Sequence, residues 1–300
     1  MMETIDRIKV LKEELDAIIV AHNYQRPEVQ DIADFTGDSL ELARKCVDIE
    51  SKLIVFCGVR FMAETAAILN PNAKVLLTHP EGNCPLAQKI NVKVLKQWQE
   101  KYPQATVVSY VNTTAAVKAE SYICCTSANA VNIVNSVPGE EVLFIPDKNL
   151  GHYISTKTDK KIVLYPGYCY VHDRITVEHI EKAKQRYPKA KILVHPECRP
   201  EVIELADAAL STSQMSYYAQ NSSDNAFIIG TEEGMLHTLK KQNPGKEFHL
   251  LAPGSICSDM KKTTLERVIE SMETEKTVIT VPAAIKVKAK EAIERMLNVR

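Results

Sequence analysis

The sequence contains no apolar run approaching the roughly 18 residues of a membrane-spanning helix. Its first residues, Met1-Met2-Glu3-Thr4-Ile5-Asp6, lack the hydrophobic core of a secretory leader. Charge of one sign is also missing: 37 basic residues stand against 38 acidic ones. That balance argues against a nucleic-acid stripe or a membrane-surface patch. Although there are eight cysteines, no CxxC, CxxxCxxC or compact four-cysteine spacing occurs. An electron-transfer module and the usual radical-initiating cluster motif are therefore disfavoured. The expectation is a cytoplasmic protein with no nucleic-acid or membrane partner. Its cysteines then serve as ligands, reactive groups or small buried residues, not as a disulfide framework.

What is present is one unit written three times. The 300 residues, 45% of them apolar, suffice for sizeable cores. Length alone suggests about two domains, but the internal period overrides it in favour of three. A strand-like run ending in polar residues opens each copy: Ile18 to Tyr24, Val107 to Asn112 and Ile192 to Glu197. A hydroxyl residue follows seventeen positions on, from His22 to Ser39, Tyr110 to Ser127 and His195 to Thr212. Cys84, Cys169 and Cys257 lie 62, 59 and 62 residues beyond the same starting points. A period of about 87 residues is long enough for a small domain, so three copies imply a pseudo-threefold protein with one central site.

Short β-branched runs alternate with amphipathic helical patterns, which favours α/β domains with parallel sheets covered by helices. Three strands are expected per unit: 18–21, 52–57 and 74–78; 106–110, 142–145 and 161–165; 191–195, 226–229 and 247–251. In the first unit helices are expected at 29–35, 39–46 and 60–69. The polar clusters then fall at the C-terminal ends of strands, where open parallel sheets place ligand sites. The expected architecture is three homologous three-layer αβα domains, at 1–97, 98–183 and 184–275. A segment at 276–300, strand (277–281) then helix (283–297), is expected to pack back on the first domain and close the ring.

Each of the three repeated cysteines follows glycine and proline in a tight turn: Pro80 to Cys84, Pro166 to Cys169 and Pro253 to Cys257. Buried structural cysteines have no reason to recur in equivalent turns, whereas thiolates converging on an axis have a metal to hold. Three thiolates suit either zinc with an added ligand or an iron-sulfur cluster with one iron open. Cys46 and Cys57 read as core residues, and Cys124 and Cys125 as packed or modestly reactive. Cys198, beside His195, is the best candidate for a fourth functional thiol, although its structural reading is favoured because the other units lack a counterpart.

His22 and Tyr24, Tyr110 and Asn112, and His195 and Glu197 form equivalent pairs. A spacing of two puts both members of a pair on one side of an extended segment. Tyrosine, histidine and glutamate there can move protons, while asparagine and histidine can hold carbonyl or carboxylate oxygens. Ser39, Ser127 and Thr212 lie just before or at expected helix starts. Taken singly they read as N-caps; taken together around one cavity they read as anion binders for a small substrate with several negative groups.

Ala21-His22-Asn23-Tyr24-Gln25, Gly37-Asp38-Ser39-Leu40, Tyr110-Val111-Asn112-Thr113-Thr114 and Cys125-Thr126-Ser127-Ala128-Asn129 resemble segments of the quinolinate synthase family. His195-Pro196-Glu197-Cys198, Ser211-Thr212-Ser213-Gln214-Met215 and Gly230-Thr231-Glu232 carry the same resemblance, which extends from about residue 15 to the C-terminus. It implies three analogous domains around an oxygen-sensitive [4Fe-4S] cluster, one per chain. It also implies condensation of iminoaspartate with dihydroxyacetone phosphate to quinolinate, phosphate and water, in NAD biosynthesis. The iminoaspartate would come from an aspartate-oxidising enzyme that the chain contacts transiently.

By the same resemblance Cys84, Cys169 and Cys257 ligate three irons, and the fourth iron acts as a Lewis acid. Tyr24 and Glu197 would be the acid-base residues, with Tyr110 assisting. His22, Asn112 and His195 would orient oxygens; Ser39, Ser127 and Thr212 would hold phosphate or carboxylate. Some family members carry a C-terminal cysteine triplet, absent from Met296-Leu297-Asn298-Val299-Arg300, so thiol-disulfide control through it is not expected. Two rivals remain: a three-cysteine cluster enzyme acting on S-adenosylmethionine and resembling diphthamide synthase, and a noncatalytic polyanion binder built around zinc. The first leaves the hydroxyl set and the His-Asn-Tyr and His-Pro-Glu segments unexplained.

Overall fold

The computed structural model describes residues 2–299. Twelve strands form three four-stranded sheets, every ladder within them parallel. The first sheet holds β1 (Ala17–His22), β2 (Phe35–Gly37), β3 (Leu53–Cys57) and β4 (Lys74–Leu77). The second holds β5 (Thr106–Tyr110), β6 (Ile123–Cys125), β7 (Glu141–Ile145) and β8 (Lys161–Leu164), and the third β9 (Lys191–Val194), β10 (Ala208–Ala209), β11 (Ala226–Gly230) and β12 (Glu247–Leu250). In each sheet the second strand of the unit is the edge, followed by the first, third and fourth. The central strands are apolar along their length, as in β3, Leu-Ile-Val-Phe-Cys, because helices cover both faces.

The α/β class, the parallel sheets and nine of the strands agree with the sequence reading to within a residue or two. The three edge strands β2, β6 and β10 were not expected. Two or three residues carry no readable period, and the first of them takes up the end of the expected helix at 29–35, which stops at Ile32.

Capping explains where the helices around the site begin. Asp38 accepts N–H bonds from Leu40 and Glu41 and Glu41 reaches back to its amide, a capping box that starts Ser39–Val47. Ser211 and Gln214 repeat the device for Thr212–Asn221. Pro27 and Pro200 each open a short helix behind an extended arginine, their missing N–H falling where no partner exists.

Three ten-residue helices, Val92–Lys101, Val177–Arg186 and Leu265–Thr274, each begin eight residues after a repeated cysteine. Each buries its apolar stripe under the sheet of the following unit. Leu95 packs with Val107 and Ile145, and Ile180 and Ala183 pack with Ile192 and Val194. The third helix has no following unit. Leu265, Val268 and Met272 turn back to Ile8, Leu11, Ile19 and Val55 beneath the first sheet. The units thus exchange helices in a ring, and the last exchange closes it.

Beyond it, Thr277 and Ile279 run antiparallel beside β4, forming an isolated bridge where a strand was expected: Leu77 N–H donates to Thr277 O at 3.0 Å and Ile279 N–H to Val75 O at 2.8 Å. Helix Ala283–Asn298 then lies against β6 and the helices Ala115–Lys118 and Arg60–Leu69, burying Ala289, Ala292, Ile293 and Met296. Among the described residues no helix is long and apolar enough to cross a membrane.

Candidate functional site

The C-terminal ends of the three sheets face one cavity, and all twelve residues singled out in the sequence line it. His22 and Tyr24 reach it from the end of β1, Tyr110 and Asn112 from β5, and His195 and Glu197 from β9. Cys84, Cys169 and Cys257 border the same space, with Ser39, Ser127 and Thr212 at helix entrances around it.

The cysteines share a local geometry that their turns alone do not reveal. The carbonyls of Cys84, Cys169 and Cys257 accept N–H bonds from Gln88, Asp173 and Lys261, four residues on in each case. The backbone N–H groups three residues on, of Ala87, His172 and Met260, favour the charged form of each thiol. A one-turn helix therefore presents each sulfur at its amino end, where backbone N–H groups favour negative charge. Burial opposes that charge: it pushes the Cys84 thiol up to about 12 and raises Cys169 and Cys257 as well. Thiolates here need a positive centre among them, which is what a metal group supplies.

Two buried carboxylates hold the loops from behind. Asp147 and Glu232 stand two residues past the ends of β7 and β11 and accept the amide N–H of Cys169 at 2.9 Å and of Cys257 at 3.0 Å. The first unit has Val59 at that place. Glu232 is paired with Lys261 at 3.0 Å.

Among the described residues, the one trio of such ligand atoms within 4.8 Å of one another is Cys169, His172 and Glu197. At least one pair of the three loop sulfurs is therefore more than 4.8 Å apart, wider than the roughly 3.8 Å between thiolates on one tetrahedral zinc at about 2.3 Å. Three sulfurs from three equivalent loops around one cavity make a donor set that suits a metal group.

The histidines are donors toward the cavity. His22 Nδ1 accepts the Tyr24 amide N–H at 3.1 Å, so the neutral ring carries its proton on Nε2. Burial, helped by the charge of Lys261, lowers the pKa of His22 to about 3 and keeps the ring neutral. His195 repeats the contact, its Nδ1 accepting the Glu197 N–H at 3.3 Å while Nε2 lies 3.2 Å from Ser127 Oγ. Burial, and then the neighbouring His172 and His22, lower its pKa too. Burial raises the phenols of Tyr24 and Tyr110 well above the usual tyrosine range, so both are protonated and can donate.

Asn112 Oδ1 and Glu197 Oε1 are buried without a protein partner among the described residues, which suits oxygens that wait for a ligand. The hydroxyls are not the caps that they resemble. Asp38 and Ser211 take that role, so Ser39 and Thr212 occupy the first helical turn. Ser127 sits two residues before the Asn129 cap. Thr212 also accepts from Asn23 Nδ2 at 3.2 Å, and Ser213 donates to Asp38 at 2.6 Å, tying the third unit to the first.

His172 is the principal lining residue missed in the sequence. It stacks on His195 with ring centroids 4.4 Å apart, and its Nδ1 lies 3.1 Å from Glu197 Oε2. Its position three residues after Cys169 is the signal that was available, since one helical turn returns it to the same face. Cys198 does not reach the cavity. It is fully buried in the third unit's core and donates weakly to Gly230 O at 3.5 Å. Cys46, Cys57, Cys124 and Cys125 are buried as well.

Residues 6–298 match the family model described as Quinolinate synthetase A protein. The chain is 51% identical over 298 residues to Quinolinate synthase 1 of Methanosarcina acetivorans, covering 99% of this chain and 98% of that protein. It is 52% identical over 296 residues to quinolinate synthase of Thermodesulfovibrio yellowstonii, covering 98% of each. With quinolinate synthase of Methanoregula boonei it shares 53% identity over 292 residues, 97% of each chain.

Proposed function

This chain belongs to the quinolinate synthetase A protein family and is an enzyme, and from that premise we propose that it condenses iminoaspartate with dihydroxyacetone phosphate. The products are quinolinate, phosphate and two molecules of water, so the atoms balance with no electron supplied or removed. One observation carries the reading: three cysteines from equivalent loops border the same cavity as three strand-end polar pairs and three helix-entrance hydroxyls. A small, multiply anionic substrate pair fits such a closed ring of donors; a polymer does not.

Cys84, Cys169 and Cys257 would hold a [4Fe-4S] cluster, one per chain. When bound, a cluster with one iron free of protein thiolate supplies a Lewis acid for oxygen ligands. The chain's own residues do the rest. Protonated Tyr24 donates to an oxygen that gains charge, and Glu197, with one oxygen free of protein partners, takes or returns protons. Tyr110, also protonated, assists from the neighbouring unit. The Nε2–H groups of neutral His22 and His195, with Asn112, orient carboxylate and carbonyl oxygens. Ser39, Ser127 and Thr212 hold phosphate or carboxylate beside free helical N–H groups. The apolar wall of Val59, Phe61, Met62 and Met260 limits water around the imine.

The setting belongs to the same proposal: a cytoplasmic enzyme of NAD biosynthesis in transient contact with the enzyme that makes iminoaspartate. The unit boundaries near 98, 184 and 276 fall in or next to the helices that the units exchange. The test is anaerobic quinolinate formation by reconstituted protein from dihydroxyacetone phosphate and freshly generated iminoaspartate, beside a Cys84→Ser sample. Cluster-dependent product supports the synthase; a stable cluster without product moves the reading to chemistry on S-adenosylmethionine.

A further inference from the structure

Three ligand atoms converge on one side of the cavity with no cation among them. Cys169 Sγ, a ring nitrogen of His172 and a carboxylate oxygen of Glu197 all lie within 4.8 Å of one another. Cys169 stands at the entrance of the helical turn Tyr170–Asp173 and His172 within it, so one turn brings both to the same side. Glu197 comes from the third unit with its backbone fixed. Asn149 Nδ2 donates to its carbonyl at 3.1 Å, and its own N–H donates to His195 Nδ1 at 3.3 Å.

Each of the three can offer an electron pair, and no protein donor meets them. His172 and Glu197 are 1% and 3% exposed. Glu197 Oε2 stands 3.1 Å from His172 Nδ1 but out of line for a hydrogen bond. His172 Nδ1 and Glu197 Oε1 have no hydrogen-bond partner among the described residues. His172 Nε2 lies 2.8 Å from Thr231 Oγ1, which takes its N–H and leaves the lone pair on Nδ1. Among the described residues only His172 and His195 come within ion-pair distance of Glu197, whereas buried Glu232 has Lys261 at 3.0 Å.

A buried thiol, imidazole and carboxyl group without donors match a divalent ion of the zinc class, which takes mixed sulfur, nitrogen and oxygen ligands. An outward hydrogen bond from the second ring nitrogen is what such a histidine ligand makes. Ligand atoms on one tetrahedral zinc stand roughly 3.3–3.8 Å apart, so this trio has about 1 Å to close.

We propose that the chain without its cluster holds one divalent cation, of the zinc and ferrous class, on Cys169, His172 and Glu197, bridging the second and third units. The thiol proton leaves to solvent, and a water completes the four ligands. Because Cys169 serves both, this ion and the cluster exclude each other; that exclusion rests on the reading of Cys169 as a cluster ligand.

The test takes the full chain freed of metal and titrates it with Zn²⁺ against a chromophoric chelator, and with Co²⁺ as a spectroscopic stand-in. One equivalent binds, and cobalt shows a thiolate charge-transfer band of the intensity that one sulfur gives, not three. Cys169→Ser, His172→Gln and Glu197→Gln each weaken Zn²⁺ by about 100-fold or more, beyond what loss of an outer hydrogen-bonding partner usually costs. Cys84→Ser and Cys257→Ser stay within about threefold of the parent, as residues outside the ligand set. The cobalt spectrum is read on the unsubstituted chain, so it decides the matter even where a variant fails to fold.

A three-sulfur cobalt spectrum, with zinc lost equally in all three cysteine variants, would overturn the trio in favour of the loop sulfurs. Zn²⁺ held no more tightly by the parent than by Cys169→Ser would overturn the site outright. One equivalent of Zn²⁺ added before iron and sulfide lowers the cluster absorption gained by about half or more. Full absorption with Zn²⁺ still bound would overturn the exclusion and the placing of Cys169 in the cluster. Quinolinate formed by a reconstituted chain that never binds Zn²⁺ would overturn the cation site alone.

Discussion

The buried carboxylate of Asp147 accepts the amide N–H of Cys169 across 2.9 Å, and its other oxygen accepts the Leu150 N–H at 2.8 Å. One side chain thus joins the loop of a repeated cysteine to the start of helix Lys148–Ser155. Burial, and then the nearby Glu197, raise its pKa well above the carboxylate range, so the position is occupied against an electrostatic cost. Glu232 repeats the arrangement behind Cys257 with Lys261 to offset its charge, and Val59 stands in the first unit.

Replacing Asp147 by alanine strands two buried N–H groups, each worth roughly 1–3 kcal/mol when left without an acceptor, less what is regained by removing a buried acid. Asp147→Ala is expected to destabilise the metal-free protein by about 1–3 kcal/mol and to lower iron bound after reconstitution by about half or more. Asp147→Asn, which keeps one acceptor, falls between. Denaturant unfolding and iron analysis check this; unchanged iron in Asp147→Ala would remove its role in holding the loop.

Cys198 and Cys84 separate the two readings of a cysteine near the site. Cys198 is enclosed by apolar neighbours and bonded to Gly230 O, whereas Cys84 borders the cavity at the amino end of a helical turn. Cys198→Ala should keep the cluster's visible absorption and cost about 1 kcal/mol of stability, the loss of a small buried group. Cys84→Ser should lose most of that absorption. Loss of iron in the Cys198 variant with retention in Cys84→Ser would reverse the assignment.

How far the sequence could be read depended on the kind of signal. The seventeen-residue offsets and the cysteine positions were legible because three copies of one spacing cannot arise from local propensity. The edge strands were not, since Ala208 and Ala209 alone have no pattern. Helix Leu265–Thr274 was recognisable as amphipathic, but an apolar stripe says only that it is covered, not that Ile8 and Val55 of the first unit cover it. Ser39 and Ser211 look alike in sequence, and only the capping geometry assigns the cap to Asp38 in one case and to Ser211 in the other.

The neutral state of His22 has a consequence for acid stability. Its folded pKa, about 3, lies below its ordinary 6.5, so between those values the unfolded chain binds more protons and stability falls as pH falls. Asp147 and Glu232, raised by burial, pull the opposite way, so the comparison must isolate the histidine. Between pH 7.5 and 5.5 the His22→Gln protein, metal-free, is expected to lose about 1.4 kcal/mol less than the parent, one unit below the ordinary pKa being worth that much. Equal losses in urea unfolding at the two pH values would show that His22 gains a proton in the folded state.

Lys118 is the cation most expensively placed. It is fully buried, donates to the Thr113 carbonyl and lies 5.2 Å from the centroid of the Phe61 ring, which borders the cavity. Burial lowers its pKa from 10.5, more than Cys124, Glu64 and Cys84 restore it. Methionine preserves the length of the stem and removes the charge, so Lys118→Met should stabilise the metal-free protein at pH 7 by about 1–2 kcal/mol. The sign continues with pH. Between its lowered folded pKa and 10.5 the unfolded chain holds more of this proton, so the parent gains stability as pH rises through that window and the advantage of methionine shrinks. Urea unfolding at pH 7 and pH 9.5 measures both steps. A Lys118→Met protein less stable than the parent at pH 7 would mean that the ammonium is favourably paired where it lies, and that its contact with Thr113 and Phe61 outweighs the cost of burying it.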